Sequence, residues 1–385
     1  MSKGKYIFSQ IISILPKYEF DKSVNAFNGN YRVQNFTCWS QFLCMIFGQL
    51  TGRDSVRDTV TCLRAHREKL YHLGINHVVS RSTLGYANET RDWRIYEHFA
   101  QKLITEAGKL YSNDKISGLD LPNKIYAIDA TTIDLCLSVF WWASFRKTKA
   151  AIKLHTQLDL QGDIPTFIHI TNGKVQDVKI LDQIEFEAKA FYLIDRGYMD
   201  FKRLYNITLN QAFFVTRTKR GMVFDRVYSN QAVGEGIKYD QIVKTANPGY
   251  PIHLRRVKYY DAPTDKTLIF LTNNFEITAL EVAMLYKKRW QIELFFKWIK
   301  QNLKVKSFWG QSENAVKVQI WIAVCAYLAV AIAKKKLKLD RSIYEILQII
   351  SVSAFDKTNI NQLLSKLPPP NNPSTPDFQL SFNDL

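Results

Sequence analysis

Three carboxylates stand where this chain could use them for chemistry. Asp129 ends the apolar run "KIYAID" and Asp195 ends "FYLID". Glu293 is the lone acid of "YKKRWQIELFFKWIK", residues 286–300, among five aromatic rings and five cations. An acid that closes a buried strand faces the sheet edge where ligands gather. Three carboxylates brought together repel one another unless cations neutralise them, and hard divalent ions with oxygen ligands meet that need. Two ions about 4 Å apart would activate an oxygen nucleophile and stabilise the leaving oxygen of an in-line phosphodiester displacement. Asp134, Asp159 and Asp163 lie nearby and compete with Asp129, but Asp134 follows "ATTI" and Asp159 follows "HTQL", so neither directly ends a buried run. Taken singly, an Asp at a strand end is as readily a turn former, and a Glu on an amphipathic helix is commonly solvated. The order of the elements groups the three.

Residues 1 to about 115 read as helical. "DSVRDTVTCLRAHREKL" has a possible cap at Asp54 and a stop near Gly74, and "SRSTLGYANETRDWRIYEHFAQKLI" follows with Ser82 or Thr83 as cap. Across a short turn these form either a helix-turn-helix, with Arg81, Asn88 and Arg91 able to reach base edges, or part of a helical bundle. From Asn123 the texture changes. "KIYAIDATTI", "AIKLHTQLDL" and "IPTFIHITNG" read as strands, "VQDVKILDQIEFEAKA" as a helix, and "FYLIDRGY" as a strand. "MDFKRLYNITLNQ" is then a helix and "AFFVTRTKR" a strand, which makes a mixed α/β sheet with helices packed on it. "MVFDRVYSN", "IHLRRVKYYDA" and "KTLIFLTNN" form a β-rich insertion. "TALE" at Thr278 has the form of a capping box opening a long helix through 286–300. Two further helices and the Pro- and Asn-rich "LPPPNNPSTPDF" complete the chain. The segments are thus 1–118, helical and DNA-binding; 119–217, first part of the core; 218–277, the insertion; 278–345, second part of the core; and 346–385, a helix and tail.

At about 100° per residue, Tyr286, Arg289, Glu293, Lys297 and Lys300 fall within roughly 80° of arc over about 21 Å of helix. One metal ligand among phosphate-binding cations is what a nuclease face requires. Arg255, Arg256 and Lys258 of the insertion are either further backbone contacts or a solvated edge strand. The excess of 52 Lys+Arg over 35 Asp+Glu, a net +17, points to a polyanion, nucleic acid before membrane surface. Five cysteines without a C-x-x-C pair support neither a disulfide framework nor a zinc ribbon, and fit a reducing cytoplasm. The opening residues lack a signal-peptide pattern. The apolar run Ile320–Ala333 is too short for a bilayer core of about 30 Å, so it is expected as a buried helix and no membrane is expected.

The order of strands, acids, insertion and final helix resembles the ribonuclease-H-like fold. Tyr286, Arg289, Glu293 and Lys300 spell Y-x2-R-x3-E-x6-K, which resembles the signature of the insertion-sequence-four family of bacterial DDE transposases. "YAIDATTI" and "FYLIDRGY" resemble that family's two Asp segments, and the helical N-terminal region looks like the domain of one branch. The resemblance implies a ribonuclease-H-like core interrupted by a β-rich insertion and preceded by a helical N-terminal domain. It implies catalysis and metal binding by Asp129, Asp195 and Glu293 with two Mg²⁺ ions per site, Mn²⁺ able to substitute. Tyr286, Arg289, Lys297, Lys300, Arg217, Arg255 and Arg256 are then the DNA-binding set, with Arg217, 22 residues after Asp195, near the scissile phosphate. The substrates are double-stranded inverted repeats and target DNA, held by a homodimer in the cytoplasm, on the nucleoid when acting. Cleavage frees 3′ ends that are joined to target. One departure bears on a hairpin route, because no Trp lies between Trp142 and Trp290 to stack on a flipped base; Tyr259, Tyr260 or Phe275 would have to substitute. Two alternatives remain at this level: another nuclease of the same fold, or a non-catalytic DNA-binding descendant of a transposase.

Overall fold

A computed structural model describes residues 4–146, 149–302 and 308–365. The N-terminal region is helical, as its periodicity predicts: α1 (Ile7–Ile12), α2 (Lys17–Ala26), α3 (Cys38–Leu50), α4 (Val56–Ala65), α5 (Arg81–Thr90) and α6 (Arg94–Tyr111). The caps differ from those expected. Ser55, not Asp54, caps α4 by accepting from the Asp58 N–H, and Ser80 caps α5 by accepting from the Thr83 N–H. Gly74 does end a turn, at φ +80°, but it closes a 3₁₀ segment, Arg67–Leu73, that separates α4 from α5. The short turn expected between these two helical stretches is therefore not formed between α4 and α5, and the second stretch is itself two helices, α5 and α6.

A single ten-stranded mixed sheet follows. Its strands are β1 (Ile125–Leu135), β2 (Ser144–Arg146), β3 (Lys149–Asp159), β4 (Ile164–Asn172), β5 (Phe191–Ile194), β6 (Phe213–Arg217), β7 (Asp225–Asn230), β8 (Ile237–Lys244), β9 (Leu254–Asp261) and β10 (Lys266–Thr272). They lie in the order β2-β3-β1-β5-β6-β10-β9-β8-β7, with β4 paired to β3. Helix α7 (Phe201–Leu209) joins β5 to β6, which makes those two strands parallel. The helix expected over "VQDVKILDQIEFEAKA" is only a 3₁₀ segment, Asp177–Asp182. Its apolar residues Ile180, Leu181 and Ile184 still pack beneath the sheet, so the amphipathic pattern is used without a full helix. The insertion is continuous with the sheet, because β10 pairs antiparallel with β6.

The remaining helices are α8 (Ala279–Lys288), α9 (Trp290–Asn302), α10 (Glu313–Lys336), α11 (Ile343–Ser353) and α12 (Ile360–Leu364). The capping box at Thr278 and Glu281 is present. Alternation along β1 divides the interior in two. Ile125, Ala127 and Ile133 join a large core with the helices, while Tyr126 and Ile128 join a smaller one with Tyr192, Ile194, Leu204 and Ile207. Helix α10 is long and apolar enough to cross a membrane, yet 94% of its apolar stretch is buried inside the molecule. It is the axis of the large core, packed against α6, α3, α5 and α11. The Pro-rich tail beyond 365 lies outside the described residues.

Candidate active site

The register of the parallel pair brings two of the acids together. Ile128 of β1 lies opposite Ile194 of β5, and the next residues are Asp129 and Asp195. Neighbouring strands are about 4.8 Å apart, so the two carboxylates leave the sheet side by side. Asp195 does follow the last residue of its strand. Asp129 does not end β1, which runs on to Leu135 paired with β3; what ends at Ile128 is its pairing with β5. The Asp129 side chain shares the face of Ala127 and Ile133, the face against which α9 packs. Helix α9 supplies Glu293 from its first turn.

Two of these acids are linked by one guanidinium. Arg289 sits at the junction of α8 and α9, with Nη1 3.4 Å from Asp129 Oδ2 and Nη2 2.6 Å from Glu293 Oε1. Burial pushes the Asp129 carboxyl up to about 6; the Ala130 N–H and Arg289 oppose this, and Asp195 and Glu293 add to it. The third acid has a neutral partner, since the Tyr286 hydroxyl donates to Asp195 Oδ1 at 3.3 Å. Tyr286 is 7% exposed, its ring 5.0 Å from that of Phe270, and burial pushes its phenol up to about 12. Thus Tyr286 and Arg289, expected as DNA contacts, are turned inward onto the acids. Arg289 keeps helical backbone angles at the α8–α9 junction and pairs with Glu293 four residues on, so the stripe is one continuous face whose first half lies against the aspartates. Lys297 is exposed and Lys300 half-buried, and both line a cavity of about 400 Å³ with Asp129, Thr131 and Glu293.

The other expected residues divide. Arg217 is half-buried at the end of β6 and close enough to Tyr286 to lower its phenol pKa. Arg256 is half-buried, bonded to Gln241 Oε1 at 2.7 Å and flanked by the rings of Phe224 and Tyr239. Arg255 is a correction. It is 5% exposed, its Nε and Nη2 donate to Asp240 at 2.9 and 2.8 Å, and Nη1 donates to the Ile277 carbonyl, so it holds the insertion together from within. Asn88 and Arg91 are corrections too. Asn88 is buried, accepting from Gln41 and donating to Met45 Sδ, and Arg91 is bonded to the carbonyls of Phe36 and Thr37. Of the residues expected to read bases only Arg81 is exposed.

The competitors of Asp129 fall elsewhere. Asp134 points to the opposite face of β1 by alternation. Asp159 pairs with Tyr126 at the far end of that strand, and Asp163 sits in a turn at φ +54°. Sequence reading missed Tyr198, which is 2% exposed with no partner for its hydroxyl among the described residues. Burial raises its phenol pKa strongly, and Asp129, Asp177 and Asp195 add to the rise, so it borders the same carboxylates. The "RGY" after Asp195 was the available signal.

The donor set is three carboxylates without thiol or imidazole, chemistry that suits hard divalent cations. Among the described residues no three His, Cys, Asp or Glu stand close enough to share one ion. Arg289 and Tyr286 take up the carboxylate oxygens instead.

A sheet with two acids at matched positions on parallel strands, a β insertion and a third acid on the helix after it defines a ribonuclease-H-like transposase core. Comparison with known proteins agrees. Residues 120–329 match the transposase DDE domain family, and residues 3–76 match a domain family of unknown function. A Sinorhizobium fredii protein named as a candidate transposase, y4zB, is 34% identical over 72% of this chain and 78% of its own length. Proteins named for transposition of the elements IS5377 of Geobacillus stearothermophilus and IS4SA of Synechocystis are 27% and 26% identical. They cover 54% and 65% of this chain and 56% and 70% of their own lengths. The chain belongs to the DDE transposase family.

Proposed function

We propose that the protein is a cut-and-paste transposase of the insertion-sequence-four type, which binds the inverted repeats of its own element, cleaves the DNA and joins the freed 3′ ends to target DNA. The observation that carries this reading is the placement of Asp129 beside Asp195, with Glu293 joined to Asp129 through Arg289, beside a cavity lined by Lys297 and Lys300. Asp129, Asp195 and Glu293 are the catalytic residues, and would hold two magnesium ions, with manganese able to substitute. Bound there, the ions supply charge stabilisation to phosphoryl transfer. Lys297 and Lys300 hold the DNA backbone at the mouth of the cavity. Arg289 holds Asp129 and Glu293 in place and would have to yield those oxygens to the ions, and Tyr286 orients Asp195. A homodimer in the cytoplasm, bridging two element ends on the nucleoid, completes the reading, and its support is the family to which the chain belongs.

The test is cleavage of a duplex carrying the end of the flanking element, with magnesium. Asp129→Asn, Asp195→Asn and Glu293→Gln should each lower the rate by about 10³-fold or more, the equivalent of several kcal/mol of lost stabilisation, with DNA affinity nearly unchanged. Near wild-type cutting by any one of them removes that residue from the catalytic set. Lys297→Ala and Lys300→Ala should each lower the slope of log affinity against log salt by about one. An unchanged slope takes the cavity mouth off the DNA path.

A further inference from the structure

The hydroxyl of Tyr198 is a buried donor that the catalytic reading does not use, and it has no partner among the described residues. Tyr198 closes a 3₁₀ turn, Arg196–Tyr198, directly after β5, and its backbone N–H donates to the Asp195 carbonyl at 3.0 Å. Its ring joins the smaller core with Ile128 and Ile194, the residues just before the two aspartates. That packing needs the ring and not the oxygen. A phenylalanine would fill the same space, whereas an unpaired donor in the interior is costly.

Beyond burial, the charges that act on this phenol are those of Asp129, Asp177 and Asp195, with Arg289 opposed to them. Asp177 is already answered, because Lys153 Nζ lies 2.9 Å from its Oδ1. The catalytic pair is served less well. Asp129 has the Ala130 N–H at 2.8 Å and Arg289 at 3.4 Å, and Asp195 has the Tyr286 hydroxyl at 3.3 Å. The two longer contacts exceed the 2.7–2.9 Å usual for a strong charge-assisted bond. Arg289 is also a poor partner for an acid that holds cations, since like charges repel. A neutral phenol can orient the same carboxylate without that repulsion.

We propose that Tyr198 is a positioning residue of the ion-bound site, where its hydroxyl donates to Asp129 and takes over from Arg289 the orienting of that carboxylate. The proposal rests on the transposase reading and adds to it a donor that serves the loaded site alone. In the metal-free protein the same hydroxyl is a liability to the fold.

The full-length protein, without DNA, is titrated with Mn²⁺ by water-proton relaxation, and its melting is followed in the metal-free state. Tyr198→Phe keeps the ring and deletes the hydroxyl alone. Its Mn²⁺ affinity should fall about tenfold, a loss usual for a group that orients a metal ligand. Its metal-free melting temperature should stay at or above that of wild type, because the unpaired donor has gone. Tyr250→Phe, in the same core, loses a phenol bond to Thr208 and should do the reverse, melting earlier with Mn²⁺ affinity unchanged. Unchanged Mn²⁺ affinity in Tyr198→Phe, as a hydroxyl bonded to water alone would give, overturns the assignment and leaves the transposase reading standing. A lower metal-free melting temperature does the same, since it shows a hydroxyl already satisfied. A wild-type protein that takes up no Mn²⁺, or no more than Asp129→Asn does, overturns the ion-binding reading together with this one.

Discussion

Asp129, Asp195 and Glu293 are held by two neighbours of different kinds. A cation bridges two of the acids and a phenol takes the third. The phenol separates an orienting role from a DNA-contacting one. Tyr286→Phe keeps the ring against Phe270 and deletes only the bond to Asp195. Cleavage should slow about tenfold, stability should change by about 1 kcal/mol, and DNA affinity should hold. A fall in affinity without a fall in single-turnover rate would return Tyr286 to the DNA-binding set. The two aspartates were readable because each closes an apolar run, a signal that survives although β1 continues past Asp129, and Glu293 because it is the lone acid of a basic helix. The inward turn of Arg289 was not readable, because a helical wheel gives the face that Arg289 and Glu293 share but not that Asp129 lies opposite it.

At the scale of elements, the strand that the sequence concealed explains the residue that was misplaced. β8 is polar enough to pass for a loop, yet it carries Asp240, the buried partner of Arg255. Without β8, Arg255 looks like an exposed cation on an edge. Arg255→Ala should cost about 3–5 kcal/mol in urea unfolding, since it strands a buried carboxylate, and Arg255→Met with Asp240→Leu should recover most of it. A loss below about 1 kcal/mol would place the pair in solvent.

The β3–β4 pair carries a pH signature. His155 is fully buried, Nε2 bonded to Thr171 Oγ1 at 2.8 Å, and burial pushes its pKa down to about 4. The unfolded chain binds that proton near 6.5, so the stability His155 gives is complete above about 6.5 and is lost as pH falls toward 4. His155→Asn should remove about 2–3 kcal/mol of the fall in unfolding free energy between pH 7 and pH 4. Parallel curves for the two proteins would show that the imidazole titrates normally.

Across the whole molecule, α10 decides what can be separated from what. One side of it is covered by α3, α5 and α6, and Tyr327 on it packs against Phe295 and Trp298 of α9, with ring centroids 5.1 and 4.7 Å away. A fragment beginning near Leu121 uncovers much of this helix, and should aggregate or lose its near-ultraviolet circular dichroism rather than persist as a folded core. A monomeric fragment with native spectra would show that the N-terminal helices are dispensable to the fold. The sequence showed α10 as an apolar run, but nothing local in it could say that both halves of the chain meet there.

That shared helix turns the protein into a gauge. The exposed side of α5, with Arg81 and Tyr86, and the acid on α9 are fastened to the same rod. If α5 reads the repeat, the span from the bases read to the bond cut is set by protein dimensions, not by the DNA. Inserting one base pair between them should leave the cut at its original count from the recognised bases, one pair short of the element's true terminus.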